Sequence, residues 1–332
     1  MANARLRIGV AGCGRAGRAH LARLLASGRV EVVACADPDL EAARALALAA
    51  TVPGEAPVPA FTDLKELLTA TTPDAVSILA PHRVHYRLAM DALQAGCHLF
   101  IEKPLSTNAQ EADDIVGLAR GRGRKVGVGH QYRLRPSLAG ARRRIAEGAI
   151  GPLRLVTATL ATPWLAAHGG PADAWRYEPK LTGGGILADV GDHLLDALLW
   201  TTGRSAVEVA AIQSKHSSGF DLVTAAAIRL DDDTPATFAL SALSPGALFE
   251  LDYFGETGRL RATDHALVEV LGDGAPRHIE LEGPTETIDG NFVSAVGDDA
   301  PLCCPVEEAL ATVRLLEAIA RSAASAQAVR LA

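Results

Sequence analysis

Apolar and polar positions change rhythm once along this chain, near residue 130. Before that point short apolar runs at 6–11, 30–36, 75–79, 98–101 and 126–129 alternate with helical-period segments at 16–25, 40–50, 64–70, 84–95 and 109–120. Near-continuous apolar strands, each followed by a helix, predict a parallel, doubly wound sheet covered on both faces. Residues 52–59 carry three prolines and a glycine, a loop that leads to Thr62 as the expected cap of the helix at 64–70. A helix at 136–148 follows the change of rhythm. Beyond residue 151 alternating segments at 154–161, 207–213, 224–230, 236–242, 247–253 and 267–271 predict one large, mainly antiparallel open sheet. Helices at 185–201 and 305–324 interrupt and close it. The expected organisation is an α/β domain over 1–131 and an α+β domain over 132–332.

Composition fits that division. With 332 residues, 48% of them hydrophobic, the chain can bury two cores. A net charge of −7 gives no electrostatic reason to expect nucleic acid or an anionic membrane. The run Arg142, Arg143, Arg144 is the main exception, and within a helix it reads as a solvated face rather than a phosphate site. No spanning apolar stretch or leader is visible, so a cytoplasmic protein is expected. Cys13, Cys35, Cys97, Cys303 and Cys304 are odd in number and include no Cys-x-x-Cys pair. They read as packing residues, with neither a disulfide framework nor a zinc knuckle.

The first strand runs directly into Gly12-Cys13-Gly14-Arg15-Ala16-Gly17, a helix follows, and the second strand delivers Asp37 twenty residues after Gly17. This is the arrangement of a dinucleotide site: Gly12 permits the turn, Gly14 admits a pyrophosphate and Gly17 lets the helix pack closely. The helix N-terminus faces the phosphates. Asp37 can accept from both hydroxyls of an adenosine ribose and would repel a 2′-phosphate, so NAD is expected over NADP. No Lys or Arg occurs in 38–43, and Arg44 follows one turn on. Asp37 also suits a helix-cap role before the helix at 40–50, with Pro38 at its first position.

Two further groups carry chemistry. Glu102-Lys103-Pro104 follows the strand at 98–101, at the carboxyl edge where ligands of such sheets bind, and Lys103 is placed to orient or deprotonate an alcohol. A surface Glu102/Lys103 salt bridge is the bland alternative, and Lys103-Pro104 is a candidate cis peptide. Next, Gly183-Gly184-Gly185 opens a helix on which Asp189, His193 and Asp196 fall at i, i+4 and i+7 beside Ile186, Val190, Leu194, Ala197 and Leu198. The glycines let a nicotinamide or sugar approach the backbone, and a carboxylate beside His193 suits it to move a proton. A buried His–Asp pair without catalysis is the main alternative. A metal held by Asp189, His193 and Asp192 is weaker, because no other His/Cys cluster has ligand spacing, and no metal is expected. No Gly-x-Ser-x-Gly elbow supports Ser-His-Asp hydrolysis.

These motifs, together with Ala80-Pro81-His82-Arg83-Val84-His85, Ala95-Gly96-Cys97-His98, and Trp175-Arg176, give a chain that resembles the Gfo/Idh/MocA family of NAD(P)-dependent oxidoreductases over nearly its whole length. The family's usual Thr-Pro-Asn appears here as Ala80-Pro81-His82. The resemblance implies a Rossmann domain followed by an α+β domain, and catalytic roles for Lys103, Asp189 and His193. It places Ala80, Pro81, His82, His85, Glu102, Lys103, Gln131, Trp175 and Arg176 on the cofactor, beside Gly12, Gly14, Arg15, Ala16, Gly17 and Asp37. It further implies a homodimer or homotetramer formed through the C-terminal sheet. Within the long segment 163–180, Trp164, His168 and Tyr177 are candidate substrate residues, as is Tyr132.

The expected activity is NAD-dependent oxidation of a secondary alcohol of a sugar, inositol or related polyol. His193 or Lys103 would take the hydroxyl proton. An NAD-dependent glycosidase that recycles its hydride and a non-catalytic cofactor-binding regulator are the rival readings.

Overall fold

Six parallel strands form the first sheet: β1 (Leu6–Ala11), β2 (Val30–Ala36), β3 (Ala60–Phe61), β4 (Ala75–Ile78), β5 (His98–Ile101) and β6 (Val126–Val128), in the order β3-β2-β1-β4-β5-β6. The order reverses between β1 and β4, the switch point at which such sheets open a crevice beyond their carboxyl ends. The computed structural model describes residues 5–168, 175–215 and 219–331. They fall into two units: Met1–Gly129, Trp175–Thr182 and Glu286–Leu310 make one, and His130–Ala174, Gly183–Thr285 and Ala311–Ala332 the other. Two pieces from beyond residue 131 therefore cluster with the first unit.

Strand β2 shows why this sheet is parallel and covered. Its Val-Glu-Val-Val-Ala-Cys-Ala run is buried at every position except Glu31, as expected when helices pack on both faces. Caps set the helix starts. The helix Leu40–Ala50 is capped by Asp39, which accepts from the amides of Glu41 and Ala42, and Leu64–Thr71 by Asp63, which accepts from Lys65. The caps are thus Asp39 and Asp63, not Asp37 and Thr62, because a side chain reaches the second and third helical amides only from the residue directly before the helix.

The second unit holds a nine-stranded sheet: β7 (Leu153–Ala161), β8 (Ala206–Lys215), β9 (Asp221–Leu230), β10 (Pro235–Ser241), β11 (Leu248–Gly255), β12 (Gly258–Thr263), β13 (Leu267–Leu271), β14 (Arg277–His278) and β15 (Val329–Arg330). Its order is β14-β13-β12-β11-β7-β10-β9-β8-β15. Only the β10/β7 pair is parallel among the described pairs. Strand β10 alternates cleanly: Ala236, Phe238 and Leu240 are buried, Pro235, Thr237 and Ala239 exposed. The inner face packs on the helix Asp192–Thr202, of which every residue but Trp200 is buried. Leu194, Leu195 and Leu198 are fully covered there, contributing roughly 1.5–3 kcal/mol each.

The arginine run is not a uniformly solvated face. Arg144 reaches the buried Glu269 at 2.6 Å, Arg142 lies over the Trp200 ring at 4.8 Å, and Arg143 faces the exposed Glu282 at 3.7 Å. Four of the five free cysteines are buried. Among the described residues no helix is long and apolar enough to cross a membrane.

Candidate active site

The glycine loop behaves as its spacing demands. Gly12 has φ +100°, and a Cβ on it would lie 2.5 Å from the Leu79 carbonyl. A Cβ on Gly17 would lie 2.3 Å from the Gly12 oxygen, whereas one on Gly14 meets nothing within 4 Å. Gly12 and Gly17 are therefore needed for the fold, and the space over Gly14 is available to a phosphate. Gly14 is also the N-cap of the helix Arg15–Ala26, with no capping side chain and no acid in the first turn, so its amides fit an anion. Arg15 and Ala16 are exposed at this rim.

Asp37 is held in place by the loop it serves. One oxygen accepts from the Cys13 amide at 2.8 Å and the other from the Asp39 amide at 2.9 Å. Each oxygen keeps a further lone pair for a ribose hydroxyl. Arg44 is ion-paired to Glu41 at 2.7 Å.

Lys103 stands half-buried at the end of β5, and its bond to Pro104 is cis. The loop is fastened on both sides. Its own amide donates to Glu102 at 3.1 Å, while His85, fully buried, sets its two ring nitrogens 2.8 Å from the Pro104 and Ala80 carbonyls. Burial lowers the basicity of His85 and outweighs the support of the two carbonyls. His85 thereby packs between the loop after β4, which carries Ala80 and Pro81, and the lysine loop, its single N–H donating to one of the two carbonyls. His82 follows in a 3-10 turn, buried, with Nδ1 3.1 Å from the Thr182 carbonyl and its ring edge-on to Trp175 at 5.0 Å. Arg176 lies over the Trp175 ring at 4.5 Å.

In the second unit the expected single polar stripe is divided. Residues Leu187–Gly191 form a turn of π-helix before the α-helix begins at Asp192. The wider turn shifts the later side chains around the axis. Asp189 accepts from the Trp164 indole N–H at 2.8 Å. His193 stacks on Tyr132 at 4.3 Å and 10°, with the Arg135 guanidinium 3.3 Å from that tyrosine's ring centre. Asp192 binds His130 at 2.6 Å, and Asp196 forms a forked pair with Arg133 at 2.6 and 2.9 Å. A buried His–Asp pair thus exists between His130 and Asp192, and Asp196 faces Arg133 rather than extending the Asp189/His193 set.

At Gly185, the last glycine of the run before this helix, the close neighbour is part of the chain itself. A Cβ on Gly185 would lie 2.2 Å from the carboxylate of Asp221, whose other oxygen accepts from the Leu187 amide at 2.7 Å. The close approach at Gly185 serves the chain's own Asp221, which ties down the start of the π turn. Burial raises the Asp221 carboxyl above its ordinary value, against the backbone amides that favour its charge.

Of the remaining candidates, Gln131 is exposed in a 3-10 turn and Tyr177 is 38% exposed. Trp164 is buried with His168 tilted over it at 4.9 Å. Residues 169–174 of the candidate substrate segment lie outside the described residues. Glu102, Lys103 and the glycine loop belong to the first unit, and Asp189 and His193 to the second. Sequence reasoning missed His20, His130, Arg133, Asp221 and Asp289. Each of them pairs with a residue remote in sequence, so no local spacing marked it.

Known proteins decide the affiliation. The oxidoreductase family with an NAD-binding Rossmann fold matches residues 6–130, and the GFO/IDH/MocA C-terminal domain matches 138–261. The chain belongs to the GFO/IDH/MocA family. Within it, the D-glucoside 3-dehydrogenase of Escherichia coli is 32% identical over 209 residues, covering 63% of this chain but only 57% of that enzyme. The UDP-N-acetylglucosamine 3-dehydrogenase of Acidithiobacillus ferrooxidans is 30% identical over 236 residues, 71% of this chain and 67% of its own. The structure of levoglucosan dehydrogenase with NADH and levoglucosan has the same fold, with a TM-score of 0.87 at 19% identity over 99% of each chain. As a GFO/IDH/MocA protein the chain has an NAD-binding Rossmann domain, within whose matched range, 6–130, the loop from Gly12 to Gly17 falls.

Proposed function

We propose that this protein is an NAD-dependent dehydrogenase that oxidises a secondary alcohol of a sugar, inositol or related polyol. One observation carries the reading: Lys103 on a loop braced from both sides, and Asp189 and His193 buried and individually fixed, are all present. The similarity to a glucoside and a nucleotide-sugar dehydrogenase supports the substrate class. Asp37, Arg44 engaged by Glu41, and the repulsion that a 2′-phosphate would meet at Asp37 support NAD over NADP.

Bound nicotinamide would supply the hydride acceptor. The chain's residues do the remaining work. His193 takes the hydroxyl proton as the carbon loses hydride, and Asp189, anchored by Trp164, favours the imidazolium that results. Lys103 donates a hydrogen bond to the same oxygen, which becomes the ketone. The exchange of these two roles, with Lys103 as base, uses the same groups. Residues 132–332 are the proposed substrate and oligomerisation domain, with Tyr132, Trp164, His168 and Tyr177 toward the substrate. Trp164 would contribute its ring, since Asp189 engages its N–H. The outer sheet face shows Ala210, Ala225, Ala227, Thr237 and Ala239 to solvent beside the large apolar Ile212, an apolar surface that supports a homodimer or homotetramer. Free cysteines fit a reducing, cytoplasmic compartment.

The test is a panel of sugars and polyols, free, phosphorylated and nucleotide-linked, offered with NAD or NADP while reduced-nicotinamide absorbance is followed. Formation of NADH with a panel alcohol, faster than NADPH, is expected. Substrate loss without net NADH would instead identify a glycosidase, and NADH binding without any turnover a regulator.

A further inference from the structure

The loop that carries Lys103 is fastened by a row of charges that begins far from it in sequence. His20, on the inner side of the helix Arg15–Ala26, is 4% exposed. Its Nε2 lies 2.9 Å from one oxygen of Glu102 and its Nδ1 2.6 Å from one oxygen of Asp289. The second oxygen of Asp289 accepts from Arg23 at 2.5 Å, and the second oxygen of Glu102 accepts from the Lys103 amide at 3.1 Å. Gly129 lies directly against Glu102: a Cβ there would be 2.8 Å from its carboxylate. Glu102 therefore has little room to swing.

A histidine with a carboxylate on each nitrogen must donate twice, which only the imidazolium does. We propose that His20 is a positioning residue for Lys103: its imidazolium pins Glu102, and Glu102, through the Lys103 amide, fixes the backbone from which the lysine is presented. The inference rests on the reading of Lys103 as a group at the reacting oxygen. The charges around His20 agree with it. Burial opposes the charged ring, but the hydrogen bonds and charges of Asp289 and Glu102 outweigh it and raise its pKa to about 9. Arg23 also binds Asp289, the Phe100 ring packs on His20 at 5.2 Å, and Lys103 and His85 add to the charges that favour ionised Glu102. Glu102, in turn, is pushed up by burial and more than compensated by His20, so its carboxyl stays below its ordinary value.

The chain has five lysines, Lys65, Lys103, Lys125, Lys180 and Lys215, few enough to follow singly as 13C-dimethylated side chains by NMR, with Lys103→Arg assigning the signal. His20→Gln keeps one donor and loses the other; Asp289→Asn removes one of the two charges that hold the ring and serves as the second variant. In both, the Lys103 resonance and its titration midpoint should move while the other four stay in place. Turnover of an alcohol found in the panel should fall about tenfold in His20→Gln with KM for NAD changed less than about twofold, because misplacement of a reacting group costs rate rather than cofactor binding. An unmoved Lys103 resonance in folded His20→Gln and Asp289→Asn would overturn the proposal. If the resonance moves but Lys103→Ala retains normal turnover, the positioning stands and the catalytic reading of Lys103 fails.

Discussion

The two regions that carry the chemistry are held in different ways. Around the glycine loop and Lys103 most side chains are fixed against backbone, through the amides of Cys13, Asp39 and Lys103 and the carbonyls of Ala80 and Pro104, with the buried row Glu102–His20–Asp289–Arg23 behind them. Around Asp189 and His193 they are mainly side chains, with Trp164 on the carboxylate and the Tyr132 ring on the imidazole. A cofactor common to many enzymes is met by main-chain geometry that many sequences can supply. The substrate-side groups depend on particular side chains, which is where one chain of this family can differ from another.

The largest expected effects treat the regions alike. Lys103→Ala and His193→Ala should each lower kcat by about a hundredfold or more, with NADH affinity by fluorescence nearly unchanged. The glycines should then separate them. Gly14→Ala adds a methyl to open space and should leave thermal unfolding in place while weakening NADH binding by about tenfold. Gly185→Ala drives a Cβ into Asp221 and should cost roughly 2–4 kcal/mol of stability, read by denaturant unfolding. Equal losses of binding and stability in both variants would mean that the two runs are not used differently.

Stability against pH, compared between the native chain and His20→Gln, isolates one group of the first region. His20, raised to about 9 in the folded protein, contributes its full stabilisation below its ordinary value of 6.5 and loses it as pH rises through 9. Between pH 6.5 and 8 the loss from this group should approach about 2 kcal/mol, and it should vanish in His20→Gln. A still smaller effect is expected in the second region from Trp164→Phe, which removes the donor to Asp189 while keeping a ring: about 1 kcal/mol and a several-fold lower kcat.

This contrast also explains what could be read from the chain beforehand. Gly12, Gly14, Gly17, Asp37 and Lys103 sit in short contiguous motifs at strand ends, so the pattern that forms the strand also places the residue. Asp189, His193 and Asp196 were placed by helical spacing, and the π turn at Leu187–Gly191 undid part of that placement. Spacing carries no mark of an inserted turn whose first amide is bound by Asp221, 34 residues beyond Leu187. The same holds for His20, whose partner Asp289 is 269 residues away. The strands missed, β3, β12, β14 and β15, are two to six residues long. The two-residue runs β3, β14 and β15 are too short to show alternation, whereas β12 alternates, with Leu260 and Ala262 buried, and was overlooked, as was the helix Ile288–Asp298 despite its Thr287 cap.

Hydride transfer itself is the most direct test of the account. Panel sugars and polyols deuterated at their secondary carbinol carbons should, with NAD, yield the ketone and an equal amount of deuterium-labelled reduced nicotinamide, detected by mass spectrometry. Product formed with no deuterium accumulating in the nicotinamide pool, or bound cofactor with no panel alcohol oxidised, would contradict it.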